Sequence, residues 1–283
     1  MEFERIGIIG AGTMGNGIAQ TVALSGIDVV MIDITQDALK RGVASVSTSI
    51  DRLVSKGTVA ADAARTALAR IAISTDYRRL ENVGLVIEAA TENVDLKMRI
   101  LKQVESAVRP DTVIASNTSS ISITTLAATL ANPARFIGMH FFNPVPLLPL
   151  VEVIRGLQTS DEVAGAVTKL AVSLSKTPVS VKNSPGFVVN RILVPMLNEA
   201  FFVLAEGVAT AEEIDAGMKL GANHPIGPLA LADLIGLDVC LSVMEVLMKD
   251  TGDPKYRPSP LLREMVAAGR LGRKTKQGVY SYT

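Results

Sequence analysis

Residues 5–15, RIGIIGAGTMG, restrict the fold more than any other stretch of the chain. Ile6 to Ile9 make a short apolar run that stops at Gly10. Such a run suits a strand covered on both faces. From Met14 to Leu24 the spacing is helical. A strand that turns through glycine directly into a helix is half of a strand–helix–strand unit, and the unit recurs. IDVVMID from Ile27, LVIEA near Leu85, TVIAS near Thr112, ARFIGMHFF, LVEVI and TPVSV near Thr177 are further strand candidates. This alternation predicts a mostly parallel sheet wrapped by helices.

Two regions depart from the alternation. Between Asp33 and Ile71 no strand is evident; two helical stretches face each other across a turn at Lys56-Gly57. That is far longer than an ordinary crossover. It predicts an inserted helical hairpin over about 36–70, beside the ligand edge, and makes it a candidate substrate arm. Near Asn183 the texture changes: NSPGF breaks the pattern, and helical segments follow near 187–206, 211–220, 227–250 and 258–269. The expected division is residues 1–184 for the sheet domain and 185–283 for an all-helical second domain.

The 28 basic and 28 acidic residues balance, so no global field attracts nucleic acid or a membrane surface. A single cysteine, Cys240, excludes a disulfide framework and fits a reducing, cytoplasmic setting. Its neighbours, LDVCLSV, read as helix core. No basic, apolar leader precedes the first strand, so no signal or transit peptide is expected. The most apolar late segment, from Phe187, carries Asn190, Arg191, Pro195, Asn198 and Glu199, which a lipid span would not hold cheaply. It reads as a helix buried in a core or in a subunit interface, and it predicts a homodimer through the second domain.

Gly10, Gly12, Thr13, Met14 and Gly15 lie in a GxGxxG turn placed directly after a strand and opening a helix. The glycines permit a tight turn and close approach of a diphosphate to the helix N-terminus, whose N–H groups and dipole favour anions. The second strand ends in Asp33, eighteen residues beyond Gly15. A carboxylate there accepts from a ribose 2′-hydroxyl and repels a 2′-phosphate, which favours NAD over NADP. The alternative is that Asp33 merely caps the next helix. The fold class is therefore α/β: a Rossmann-type sheet with an inserted hairpin, then helices.

Several segments together resemble the 3-hydroxyacyl-CoA dehydrogenase family: IGIIGAGTMGNGIA, HFFNPVPLLPLVEVI, NSPGFVVNRIL, ANHPIGPLALADLIGLD and GRKTKQGVYSY. The resemblance covers essentially the whole chain and is most like a stand-alone bacterial member without a fused hydratase. It implies reversible oxidation of an (S)-3-hydroxyacyl-CoA to a 3-oxoacyl-CoA. On residues alone, an isolated histidine in an apolar run is more often a satisfied core group. The resemblance makes His140 the acid/base and Glu152 the carboxylate that orients it. It also implies that Ser119 and Asn190 contact the substrate carbonyl, Asn190 from the second domain, so that the site closes where both domains meet. Thr118 and Ser120 read instead as turn and N-cap residues. Lys56 and Ser49 match positions that hold the CoA tail. Glu92, Lys97, Asn117, Asn143 and Lys274 match cofactor contacts; on bare sequence Glu92 and Lys97 are a helix-start acid and a solvated lysine. No metal site is expected.

Two rival readings share parts of this pattern. Enzymes of the 6-phosphogluconate and 3-hydroxyisobutyrate dehydrogenase type use a second-domain lysine, and none occurs between Gly186 and Glu206. A non-catalytic, crystallin-like relative would not need the His140/Glu152 pair.

Overall fold

The computed structural model describes all 283 residues, which divide into two compact units, Met1–Asn183 and Ser184–Thr283.

The first unit is built on one eight-stranded sheet. In chain order its elements are β1 (Arg5–Ile9), α1 (Thr13–Leu24), β2 (Asp28–Ile32), α2 (Gln36–Ser55), α3 (Ala61–Ala69), β3 (Ile71–Ser74), β4 (Leu85–Glu88), α4 (Val94–Ala107), β5 (Val113–Ser116), α5 (Ile123–Ala127), β6 (Phe136–Phe141), β7 (Leu150–Arg155), α6 (Asp161–Ser173) and β8 (Thr177–Lys182). The strand order is β3-β2-β1-β4-β5-β6-β7-β8. Every neighbouring pair is parallel except β6 and β7. The direction of winding reverses between β1 and β4, and ligands bind at such a switch point, beyond the carboxyl ends of the strands.

Strands β1, β4, β5 and β6 run apolar and buried nearly throughout because helices cover both faces. One strand, β3, is absent from the candidates named above. It has only four residues, all partly buried at the sheet edge. The predicted hairpin is present as α2 and α3, with Gly57 at φ +69° in the turn. It is no detached arm. Leu39, Gly42, Val46 and Ile50 recur at helical spacing along the buried face of α2, and Leu39, Val46 and Ile50 join Ala64 and Ala67 in the sheet core. Thr35 caps α2, accepting from Ala38 N–H, so Asp33 is not the cap.

The second unit is helical: α7 (Val189–Ala205), α8 (Ala211–Gly221), α9 (Pro228–Ile235), α10 (Leu237–Thr251) and α11 (Pro260–Ala267). The stretch expected as one segment near 227–250 is two helices, broken at Gly236, whose φ of +108° suits only glycine. Val194, Leu197 and Phe201 of α7 pack with Leu237, Met244 and Leu247 of α10. The amide of Asn198 is satisfied inside this core: Ser259 N–H donates to it and it donates to the Arg257 carbonyl. Buried Asp215 and Asp233 fasten the C-terminal tail, accepting from the Tyr280 and Tyr282 hydroxyls at 2.8 and 2.9 Å. No helix is long and apolar enough to cross a membrane.

Candidate active site

The glycine turn is built as its spacing requires. A Cβ on Gly15 would lie 1.8 Å from the Gly10 carbonyl oxygen, and one on Gly10 would meet Ala89 and Ala90. These two glycines let the turn close on itself and on the end of β4. At Gly12, by contrast, a Cβ would meet nothing within 4 Å. Gly12 opens space at the start of α1, where no side chain caps the helix and no acid occupies the first turn. An anion approaching there meets the helix N–H groups and the positive end of the dipole. Asp33, at the end of β2, accepts from Ala11 N–H and from Ile34 N–H, each at 2.7 Å, which fixes its carboxylate against the turn. Open turn, uncapped helix and fixed acid fit a dinucleotide.

Beside the turn, the ends of β4 and β5 share a buried polar cluster. Glu88 accepts from Ala90 N–H at 2.9 Å, from the Ser116 hydroxyl at 2.8 Å, and from the Lys97 ammonium. The Lys97 and Glu88 side chains are 1% and 0% exposed. The alternative of a solvated lysine does not hold: Lys97 points inward from α4, and its charge is neutralised by Glu88 beneath the loops that follow β4 and β5. A pattern of exposed residues along α4 concealed this. Glu92, expected near the cofactor, spends both oxygens on the next loop. It accepts from the Thr118 hydroxyl at 2.8 Å, Ser119 N–H at 2.9 Å and the Ser119 hydroxyl at 3.2 Å. Thr118 does shape the turn, accepting from Ile121 N–H at 3.0 Å. Neither Thr118 nor Ser120 is the N-cap of α5, however; Ser122 is.

The dyad residues meet by strand register. His140 and Glu152 are direct partners across the antiparallel pair β6–β7, so both side chains leave one face at neighbouring positions. His140 Nδ1 lies 2.8 Å from Glu152 Oε2, with both residues buried. A carboxylate against Nδ1 selects the tautomer with its proton there and leaves Nε2 as the basic nitrogen. The Phe142 ring covers the imidazole at 4.4 Å between centroids. Asn117 links the β5 end to this strand: its side-chain carbonyl accepts from Phe141 N–H at 2.8 Å. Asn143 lies just beyond, exposed, and its peptide bond to Pro144 is cis.

The remaining positions lie further out. Ser49 lies on α2 and Lys56 caps its C-terminus seven residues later, about two turns along. Ser49 lines an open groove of about 520 Å³ with Arg41, Ala44, Ser45, Thr48 and Arg52. The two arginines were not singled out from sequence, because alternating charge on an amphipathic helix reads as ordinary solvated surface. In the second unit, Asn190 is in the first turn of α7 and half-buried. Lys274 is paired with Asp238 of α10, Nζ to Oδ2 at 2.6 Å. No group of three His, Cys, Asp or Glu side chains converges as a metal site would require.

A doubly wound sheet with an open glycine turn and an acid closing its second strand defines the class of dinucleotide-dependent dehydrogenases. Comparison with known proteins narrows the class. The 3-hydroxyacyl-CoA dehydrogenase NAD binding domain matches residues 5–184, and the C-terminal domain of the same family matches residues 186–282. A probable 3-hydroxybutyryl-CoA dehydrogenase of Deinococcus radiodurans is 56% identical over 278 residues, 98% of this chain and 100% of the relative. The 3-hydroxybutyryl-CoA dehydrogenase of Bradyrhizobium diazoefficiens is 50% identical, with 99% and 95% covered. Among solved structures, the (S)-3-hydroxybutyryl-CoA dehydrogenase of Ralstonia eutropha superimposes with a TM-score of 0.97 at 62% identity, covering 100% of both chains. The chain belongs to the 3-hydroxyacyl-CoA dehydrogenase family, and it is an NAD-dependent enzyme.

Proposed function

We propose that the enzyme interconverts (S)-3-hydroxyacyl-CoA and 3-oxoacyl-CoA, with 3-hydroxybutyryl-CoA and acetoacetyl-CoA as its main pair, using His140 and Glu152 as an acid–base dyad. The observation that carries this reading is the buried 2.8 Å contact between the two side chains at the carboxyl edge of the NAD-binding sheet. The activities named for the relatives above support the substrate assignment.

In oxidation, His140 Nε2 takes the proton of the 3-hydroxyl. Glu152 stabilises the imidazolium that results and holds the ring in one orientation. Bound NAD supplies the hydride acceptor. The diphosphate binds over Gly10, Gly12, Thr13, Met14 and Gly15, and Asp33 takes the adenosine ribose. Asn117 and Asn143 are assigned to the nicotinamide side, with Glu92 and Lys97 shaping the loops around it, and Lys274 contributes from the second unit. Asn190 of α7 and Ser119, whose hydroxyl turns from Glu92 to the substrate on binding, donate to the substrate carbonyl oxygen. Lys56, as a mobile charge, and Ser49 with the groove it lines take the anionic CoA tail. We assign the enzyme to the cytoplasm as a homodimer through the second unit, whose Ile192, Leu220 and Leu234 are more than half exposed. Light scattering at micromolar concentration tests the dimer, and a monomer there refutes it.

The decisive experiment is loss of NADH absorbance with acetoacetyl-CoA. Wild-type turnover is expected. His140→Gln should abolish nearly all of it while NADH binding stays close to normal. Loss of NADH affinity instead would move His140 out of the chemistry and into cofactor binding. An absence of wild-type turnover with any 3-oxoacyl-CoA would favour a non-catalytic relative.

A further inference from the structure

The segment that joins the dyad strands, Phe142 to Pro149, is short of hydrogen-bond donors. Three of its residues, Pro144, Pro146 and Pro149, have no N–H. Val145 is its one buried residue, and a backbone carbonyl shielded there needs a donor from another element. Leu147 and Leu148 N–H both donate to the Pro144 carbonyl at 3.0 Å, and Thr177 N–H donates to that of Pro149 at 2.7 Å. The other donor is Lys176. Its ammonium donates to the Val145 carbonyl at 2.5 Å and the Leu148 carbonyl at 2.8 Å.

Lys176 is built into place. It follows α6 through a helix stop in which Ser175 takes φ +56°. Ser175 N–H donates to Val172 and Lys176 N–H to Ala171, each at 2.9 Å, the 5→2 and 6→1 bonds of a Schellman motif. The residue is 8% exposed. Burial pushes its pKa below the usual lysine range, with no neighbouring charge to offset it. A buried cation held only by carbonyl dipoles costs stability that an apolar side chain would not. Both of its acceptors lie in one loop, and on the far side that loop presses on the cofactor helix. Val145 is 2% exposed, and a Cβ on Gly17 of α1 would lie 3.0 Å from Val145 Cβ.

We propose that Lys176 is a positioning residue for the reaction, its ammonium locking the Phe142–Pro149 loop between α1 and β8 so that the dyad strands and Asn143 keep a fixed relation to the nicotinamide. This rests on the dehydrogenase reading above. A misplacement of about 1 Å in such a site lowers turnover by roughly 100-fold.

The test uses the full chain with Lys176→Met, Lys176→Gln and Lys176→Arg. Amide exchange of Leu147, Leu148 and Thr177 should accelerate in the apo Lys176→Met protein, while amides of β1 and β2 stay as in wild type. With acetoacetyl-CoA, kcat should fall by about 100-fold with Kd for NADH held within about 3-fold. Lys176→Arg, which keeps charge and donors, should restore most of both readouts. A folded Lys176→Met with wild-type loop exchange and wild-type kcat overturns the proposal. If Lys176→Met does not fold, Lys176→Gln carries the same comparison. Failure of both neutral variants to fold assigns Lys176 to stability alone and also overturns it. An inactive wild type would sink the substrate reading, and the exchange arm would still decide the role of Lys176 in the loop.

Discussion

Replacing Lys97 by methionine removes the cation from the cluster at the ends of β4 and β5 and leaves Glu88 0% exposed. Two donors remain on that carboxylate, Ala90 N–H and the Ser116 hydroxyl. Breaking a buried pair from one side costs about 3–5 kcal/mol, because the surviving charge is desolvated without compensation. The two retained hydrogen bonds place the expected loss near the lower end, about 3 kcal/mol. For a unit of this size that lowers Tm by roughly 10 °C.

The double variant Glu88→Gln/Lys97→Met separates charge from packing. It removes both charges and keeps the volume, so it should recover most of the stability. That corresponds to a coupling of about 2 kcal/mol, within the range seen for residues in contact. Urea titration followed by circular dichroism measures Lys97→Met, Glu88→Gln, the double variant and wild type. A Lys97→Met protein within about 1 kcal/mol of wild type would refute the reasoning. So would a double variant no more stable than the single one, since the pair would then contribute nothing as a pair. NADH affinity should fall with stability in Lys97→Met, because the loops over this cluster carry Ala90 and Asn117.

Asp33→Ala should weaken NAD binding by roughly 10- to 100-fold, the usual worth of charge-assisted hydrogen bonds. It should also shift preference toward NADP, and an unchanged ratio of the two affinities removes Asp33 from the ribose site. Cys240 is 1% exposed, and burial pushes its thiol up to about 12. The native protein should therefore resist a thiol reagent at pH 8, where the urea-unfolded chain reacts at once. The sign for stability follows: the thiol ionises at lower pH in the unfolded chain, so this group's contribution is full below the unfolded pKa of about 8.5 and is lost as pH rises toward about 12. Rapid labelling of the folded chain would contradict the packing of α10.

The sheet was legible because its inner strands are continuous apolar runs with glycine or polar ends, and that signal is local. Two elements were harder for definite reasons. IAIS in β3 is four residues at an edge and half-buried, too short for its period to show. Gly236 lies inside an apolar helical pattern that runs through LIGLD, where an isolated glycine is tolerated. Its φ of +108° is imposed by tertiary packing: α10 begins there, and Lys274 lies within 3.2 Å of where a Cβ would stand.

The His140–Glu152 contact was legible only jointly. Neither His140 nor Glu152 identifies itself in an apolar run; their pairing depends on an antiparallel return with one register among several. The burial of Lys97, singled out only through the resemblance, and of Lys176, not singled out at all, was hidden for the opposite reason. A lysine between helical or strand residues reads as solvated surface, and what buries it lies elsewhere in the chain: Glu88 nine residues away, Val145 thirty-one. Yet the sequence does carry half of the second contact. A loop with prolines at 144, 146 and 149 announces a deficit of donors, and where such a loop turns a residue inward, as at Val145, its carbonyls call for a donor from another element. An ammonium, with three donors on a flexible stem, meets the need better than a hydroxyl or an amide. The sequence therefore states the demand while leaving the supplier open, and only the sheet order, which sets β8 against β7, brings Lys176 to the loop.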